Sequence, residues 1–452
     1  MRFRDKVRAG LNMLGAEKGV RNKLSMARKL ALIAARSRLS RKAAAEAQTV
    51  DVKAEAWAEY FLLSFVNRPV NVRVDTALPP RLWLVVPELN ASVIFGGYIA
   101  VFQFLHYLQN HGVKTNILVL RPIPDRAELL ESFAGNKLVS GVLGQSHIEG
   151  LGAARTVRMG PGDAVLAYDW TTSQVASKLA KSLETRAYYY FVQEDERIFY
   201  SNDSTRFLAE SVFHQSPRPR LICNSARLLE HFVNQGLVEP DAEVAVFEQG
   251  LPAAPLPSAQ EMAERHPRKF VFYGRPEAHA KRNLMTIALM AISRAVKDRV
   301  FDKEPWEFYM LGSSRMGETF DLDGVKVHAL PNMDYDSYRR QMTDFDVGMG
   351  LMYAPHPSVP PFEMVRSGII TVVNTTRART AEWYRSVSGN FEPAEPTVQG
   401  LADAIGRAVA RVDDVDARLA RADTYHPGSW DESFANILPE LSHPIFRAAE
   451  KG

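Results

Sequence analysis

The residues best suited to chemistry fall in two short strings. The first is FYGRPEAHAKRN, which sets Arg275, Lys281 and Arg282 just after a run that reads as a strand. Arg grips phosphate oxygens in a fork and Lys acts as a point charge. Fixed cations aimed at a leaving diphosphate stabilise its growing negative charge. The second string is HPSVPPFEMVRSGIITVVN, His356 to Asn374, entered from the strand pattern DVGMGLM. Its spacing predicts a loop, a short helix, a Gly stop and a buried strand. Ser358 can cap that helix, and Pro360 and Pro361 suit a first turn. Gly368 can end it, and IITVVN is β-branched enough for a core strand. A helix N-terminus just beyond a strand's carboxyl end is where α/β sheets bind phosphate-bearing ligands. Glu363, in the first turns, is placed to accept hydrogen bonds from a sugar's hydroxyls beside the phosphates.

Strand, loop, Pro-rich helix start, Glu, Gly and strand together resemble the donor-site signature of retaining GT-B glycosyltransferases. The chain looks most like the rhamnosyltransferase group that builds bacterial surface polysaccharide, over residues 80 to 440. The resemblance implies roles residue by residue. Gly274, Arg275 and Lys281 match the family's Gly-Arg-Lys turn on the diphosphate, and Arg282 with Asn283 matches an Arg-Asn pair in related enzymes. Glu363 would hold the donor's ribose or sugar hydroxyls. The family carries a second Glu eight positions earlier, where this chain has Pro355, so His356 and Ser358 would take over its contacts beside Pro361. Gly96 and Gly97, in FGGYIA, would let backbone approach the transferred sugar and diphosphate. Tyr168, Asp169 and Trp170, then Gln193, Glu194 and Glu196, resemble the acceptor-side loops. Those acids would bind acceptor hydroxyls or steady a positive sugar, or else are solvated loop acids. Asn224 and Ser225 resemble a further family motif beside Cys223, which reads as core packing.

The resemblance implies dTDP-L-rhamnose as donor substrate, retention of configuration, and no metal or other cofactor. His279 and His356 lie in the two donor loops without metal-ligand spacing. The Gly-Gly turn is no G-x-G-x-x-G fingerprint, which argues against a dinucleotide cofactor.

The elements needed to hold these residues give an α/β chain of GT-B type: two Rossmann-like, doubly wound domains facing a cleft. RLWLVVPEL, a Gly turn and helix ending at Gly112, and KTNILVL form a βαβ unit. AVLAYDW, RAYYYFVQ, RLICNS and AEVAVFEQG continue that sheet. The second domain runs through RKFVFYGRP, a helix from Arg282 to Lys297, WEFYMLG, VKVHALP and YDSYRRQMTD. The reading divides the chain into an N-terminal extension (1–75), an acceptor domain (76–250), a Pro- and Ala-rich linker (251–267), a nucleotide-sugar domain (268–415) and a helical tail (416–452) returning to the first domain.

Composition narrows the class. At 452 residues, 46% hydrophobic and 24% charged, the chain suits two soluble domains plus extras. One cysteine excludes an internal disulfide and fits a reducing cytoplasm. No apolar run reaches the roughly 18 residues of a membrane-spanning helix. Residues 1–45 hold thirteen Lys or Arg against two Asp or Glu, a net +11, which leaves −8 for the rest of a chain whose total is +3. Phe3, Val7, Leu11 and Leu14 recur at helical spacing among those cations. A basic amphipathic helix suits an anionic membrane surface. A solvated arm is the alternative. Nucleic acid is disfavoured, because no aromatic interleaving or motif accompanies the charge. Trp57, Phe61 and Phe65 form a stripe read as packing against the main body. The expected activity is transfer of a sugar to a growing glycan or lipid-linked glycan at the inner membrane face. A sugar-nucleotide epimerase or hydrolase, and an inactive glycan-binding scaffold, are the rivals.

Overall fold

The computed structural model describes residues 57–449 apart from 58, 59, 62, 65, 92, 93, 95, 240, 252, 253, 314–316, 332, 423 and 425–427. The chain divides into two compact units, residues 1–68 and 69–452. The basic segment 1–45 and Phe65 lie outside the described residues. Described residues from 57 to 67 are helical. Trp57, Tyr60 and Phe61 are each more than half exposed. Their rings meet one another at 5.6 to 5.9 Å between centroids. Among the described residues no helix is long and apolar enough to cross a membrane.

Residues 69–452 hold two seven-stranded sheets. The first contains β1 (Leu82–Val86), β2 (Thr115–Val119), β3 (His147–Gly150), β4 (Ala164–Ala167), β5 (Tyr189–Val192), β6 (Arg220–Asn224) and β7 (Val244–Phe247). Their order is β3-β2-β1-β4-β5-β6-β7, with every pair parallel. The second contains β8 (Arg268–Tyr273), β9 (Trp306–Leu311), β10 (Thr319–Leu322), β11 (Val325–Ala329), β12 (Val347–Gly350), β13 (Ile370–Asn374) and β14 (Phe391–Ala394). Its order is β10-β11-β9-β8-β12-β13-β14, and only the edge strand β10 runs antiparallel. Central strands such as LWLVV and ITVVN are buried along their whole length. That is what a parallel sheet covered on both faces requires. Asn71–Val74 pairs with Thr156–Met159 in a small separate sheet.

The helices that position the site are α1 (Gly96–Asn110), α2 (Trp170–Ala180), α3 (Ala226–Asn234), α4 (Met285–Lys297), α5 (Val359–Arg366), α6 (Val398–Val409), α7 (Trp430–Ile437) and α8 (Pro444–Ala449). Phe434 of α7 and Phe446 of α8 join the core of the first sheet, where Phe434 lies 5.1 Å from Phe104 and 5.4 Å from Phe247. Burying one such side chain stabilises by about 1.5–3 kcal/mol. The second core gathers Phe270, Phe308 and Met349 from the sheet with Ala288 and Ile292 of α4 and Leu401 and Ile405 of α6.

Two local expectations change. The helix read from Arg282 begins at Met285. Residues Ala278–Asn283 form a 3₁₀ turn, and Leu284 in the left-handed region (φ 51°) breaks it from α4. Ser358 occupies the N-cap position of α5 but makes no capping hydrogen bond. A cap side chain needs the N–H of the second or third helical residue. Here those residues are Pro360 and Pro361, which have none. The other end follows the sequence. Gly368 sits at φ 78°, donating to Val365 O, while Ile369 N donates to Met364 O at 3.1 Å. This is a Schellman stop.

Candidate active site

Strand order reverses between β1 and β4 in the first sheet and between β8 and β12 in the second. Open α/β sheets take ligands outside the carboxyl ends of their strands at such a reversal. The loops leaving these strands and their neighbours carry the candidate residues.

On the second sheet, α5 starts close to the end of β12 because Gly350 has no side chain. A Cβ there would lie 2.4 Å from Pro361 Cγ. Pro361, Ser358 and Glu363 are all buried. The prolines also alter what the helix start offers a phosphate. Of the four N–H groups that normally lack a helical partner, only those of Ser358 and Val359 exist here. Side-chain cations must therefore carry more of any diphosphate grip than the helix position alone suggests.

Those cations come from the loop after β8. Gly274 N donates to Leu311 O at 2.8 Å as the chain turns. Arg275 Nε stands 3.5 Å from Glu277 Oε2, and Glu277 Oε1 accepts from Ser313 Oγ at 2.6 Å. Arg275 is thus tied to its own turn. Lys281 is exposed. Arg282 is half-buried, its carbonyl accepts Tyr353 N–H at 2.6 Å, and its guanidinium carbon lies 4.6 Å from the centre of the Phe199 ring. Burial draws its pKa down, against the pull of Glu194. Asn283 is buried, with its side-chain nitrogen 3.9 Å from Met352 Sδ, so it braces the two loops.

The loop after β13 adds a residue that sequence reasoning missed. Arg379 is 1% exposed. It donates to Tyr384 Oη at 2.7 Å and to Met352 O, and its Nε has no hydrogen-bond partner among the described residues. Its charge is felt at both Glu194 and His356. The available signal was its place in TTRART, directly after a buried strand.

The first sheet contributes an acidic wall. Burial pushes the half-buried Glu194 carboxyl up to about 8, although Arg282 and Arg379 oppose it. Glu196 accepts Trp170 N–H at 2.8 Å, and burial raises its pKa well above the ordinary range. Asp169 is the N-cap of α2, accepting from Thr172 N and Thr171 Oγ1 at 2.8 Å each. Trp170, placed at the acceptor surface by its motif, is 3% exposed and donates to Tyr200 Oη at 2.9 Å. A ring so buried cannot stack on a sugar. Gly97 does provide a close approach, but to the chain itself. Gln193 Nε2 donates to Gly97 O at 2.9 Å, and a Cβ at Gly97 would lie 2.9 Å from Tyr168 Oη. Gly96 has open space around it.

Among the described residues several contacts cross between the halves, among them Arg227 at 5.6 Å from the centre of the Trp383 ring. Arg282 meets Phe199, and His356 Nδ1 lies 3.3 Å from Ser225 Oγ. Burial and Arg379 hold His356 down at about 4, so it is neutral near pH 7. Ser225, strained at φ 93°, also caps α3 through Leu228 N. Asn224 is buried beside it, and its Oδ1 has no hydrogen-bond partner among the described residues. Cys223 is fully buried, and burial raises its thiol far from reactivity. Among the described residues no group of three or more His, Cys, Asp or Glu is gathered to hold a metal ion.

The structure therefore brings Arg282, Arg379, His356, Glu194 and Ser225 to one region. It leaves Trp170 in the core and commits Asp169 to its helix.

Comparison with known proteins agrees with this architecture. Residues 81–226 match the N-terminal domain of WsaF, and residues 268–406 match its C-terminal domain. The chain is 26% identical over 385 residues to the O-antigen biosynthesis protein RfbC of Myxococcus xanthus. That alignment covers 82% of this chain but 28% of RfbC, so the chain spans little more than a quarter of that relative. Among solved structures, HepE of Anabaena in complex with UDP and glucose superposes with a TM-score of 0.56 at 12% identity, covering 80% of this chain and all of HepE. Sucrose-phosphate synthase of Thermosynechococcus elongatus gives 0.51 at 11% identity, covering 82% and 97%. Matched in chain order by both domains of one family over more than half its length, this chain belongs to the WsaF family and has the GT-B fold of glycosyltransferases.

Proposed function

We propose that this protein is a retaining glycosyltransferase that moves L-rhamnose from dTDP-L-rhamnose to a growing surface glycan at the cytoplasmic membrane face. The observation that carries the reading is the convergence of Arg282 and Arg379 with the start of α5 at the carboxyl edge of one sheet, opposite Glu194 of the other. Two cations there suit a diphosphate leaving group. The names of the relatives support the substrate class: RfbC is an O-antigen biosynthesis protein, and HepE binds UDP-glucose. The rhamnosyl donor and retention rest on the motif resemblance.

In this reading Arg282, with Lys281 and Arg275 beside it, binds the diphosphate, and the buried Arg379 adds its positive charge without touching the ligand. Glu363 reads donor hydroxyls, and His356 stays neutral as a hydrogen-bonding group. The acceptor hydroxyl attacks from the face the diphosphate leaves. The bond from sugar C1 to the phosphate oxygen breaks, a bond from C1 to the acceptor oxygen forms, and the acceptor's proton passes to the departing diphosphate oxygen. Glu194, Glu196 and Gln193 border the acceptor side. The net +11 of residues 1–45 and the exposed rings of Trp57, Tyr60 and Phe61 support attachment to an anionic membrane carrying a lipid-linked acceptor.

The test is a thermal-shift panel of dTDP, UDP, GDP and their sugar conjugates on the wild type, Arg282→Ala and Glu363→Ala. Ligand at a hundredfold excess over Kd stabilises by about 2.7 kcal/mol. A shift with dTDP compounds, lost in both variants, is the expected result. No shift with any nucleotide overturns the donor site. Rapid conversion of the donor without acceptor indicates an epimerase or hydrolase, and tight binding with no turnover on any glycan acceptor indicates a scaffold.

A further inference from the structure

The acceptor half supplies the surface on which the donor half's arginine rests. Arg282 belongs to the 3₁₀ turn after β8, and Phe199 ends the 3₁₀ turn Glu196–Phe199 after β5. The guanidinium carbon lies over the Phe199 ring at 4.6 Å. An arginine stacked on an aromatic face keeps its in-plane N–H edge available for a forked bond to phosphate oxygens. A long side chain otherwise spreads over many rotamers, and a fixed platform removes that spread.

The platform is itself held rigidly. Asp195, at the head of the Phe199 turn, is buried and binds Arg197 through both carboxylate oxygens at 2.8 and 2.9 Å. His231 of α3 stands 2.9 Å from the same carboxylate. Arg197 also reaches Glu210 at 2.7 Å, and Arg206 donates to Arg197 O at 2.9 Å. These charged groups bond to one another around the turn, and together they fix where Phe199 stands. The other end is fixed as well, since Tyr353 N–H holds the Arg282 carbonyl.

We propose that Phe199 is a positioning residue for Arg282, aiming its N–H edge at the donor diphosphate, so that the acceptor domain completes the donor-binding site. The proposal rests on Arg282 being a diphosphate ligand. Phe199 touches the arginine and not the reacting atoms, so it acts through Arg282.

The experiment is a double-mutant cycle on the full chain. UDP and dTDP affinities are measured by calorimetry, and donor turnover is measured beside them, for the wild type, Phe199→Leu, Phe199→Tyr, Arg282→Ala and the Phe199→Leu/Arg282→Ala double variant. The expected result is about tenfold weaker nucleotide binding in Phe199→Leu, near-wild-type binding in Phe199→Tyr, and a double variant no weaker than Arg282→Ala alone. Unliganded melting curves are recorded for each protein. Phe199→Tyr keeps the ring, so its recovery separates stacking from a fault in folding. If Arg282→Ala loses binding while Phe199→Leu does not, or if the two losses add, Phe199 does not position Arg282. If Arg282→Ala binds both nucleotides like the wild type, the donor-site reading falls and this proposal falls with it.

Discussion

His356 Nδ1 lies 3.3 Å from Ser225 Oγ, joining the loop after β12 to the turn after β6. The contact spans 131 positions of sequence. It puts a half-buried imidazole beside the Arg379 charge, which keeps it neutral near pH 7.

That protonation has a stability consequence. Burial first, then Arg379, lowers the pKa of His356 from 6.5 to about 4. The unfolded chain binds a proton below 6.5 while the folded chain does not. The stabilisation is therefore complete above pH 6.5 and is lost as pH falls toward 4. The wild-type Tm is expected to fall more steeply than that of His356→Asn between pH 6.5 and 4.5. Parallel curves for the two proteins would show an imidazole that titrates normally.

Glu194 runs the other way. Burial raises its pKa from 4.5 to about 8 against the pull of two arginines. The folded state holds a proton that the unfolded state releases above 4.5. The stabilisation is present below 4.5 and is lost as pH rises through 8. Glu194→Gln, which mimics the protonated acid, is expected to melt with the wild type near pH 5 and above it at pH 9. A variant less stable than the wild type at pH 9 would mean that Arg282 and Arg379 hold Glu194 ionised.

Gly350→Ala tests the closeness of α5 to the sheet. Its Cβ would meet Pro361 Cγ at 2.4 Å, inside any normal contact. Overpacking of this kind costs about 1–3 kcal/mol. Urea unfolding is expected to show that loss, with weaker nucleotide binding as the helix start moves off β12. Wild-type values for both would contradict the geometry.

Asp346 anchors the opposite, amino end of β12. Its side chain is fully buried and lies 2.9 Å from Arg265, 3.3 Å from Arg418 and 3.7 Å from Arg268. Its second oxygen accepts Lys269 N–H at 3.0 Å. Arg418 is also fully buried, and burial lowers its pKa to about 10. Removing one member of a buried ion group typically costs about 3–5 kcal/mol, because the partners' charge is left uncompensated. Asp346→Asn is expected to lower stability by that order in denaturant unfolding. A loss under about 1 kcal/mol would show that water or other groups compensate the arginines.

Much of the sheet framework was legible in the sequence. Strands such as LWLVV, TNILV and ITVVN are apolar along their whole length or nearly so, and burial on both faces demands that pattern. The edge strands His147–Gly150 and Thr319–Leu322 were not legible. They are only partly buried and carry polar residues, so no apolar run marks them. The Gly368 stop was readable because a left-handed residue after a helix selects glycine. The missing cap at Ser358 is also written in the sequence, because Pro360 and Pro361 offer no N–H and so defeat the cap preference of the serine.

Strand pattern and loop chemistry are local, so they show which residues stand at the carboxyl ends of strands before any packing is known. They therefore name Arg275, Lys281, Arg282, His356, Glu363 and Glu194 as candidates. Which of them meet depends on how the two sheets and their loops pack. That packing stacks Arg282 on Phe199, ties Arg275 to Glu277, buries Trp170, and brings in Arg379, whose importance depends on neighbours far away in the chain. Burial and long-range charge set these outcomes, and both are properties of packed neighbours that no local spacing encodes.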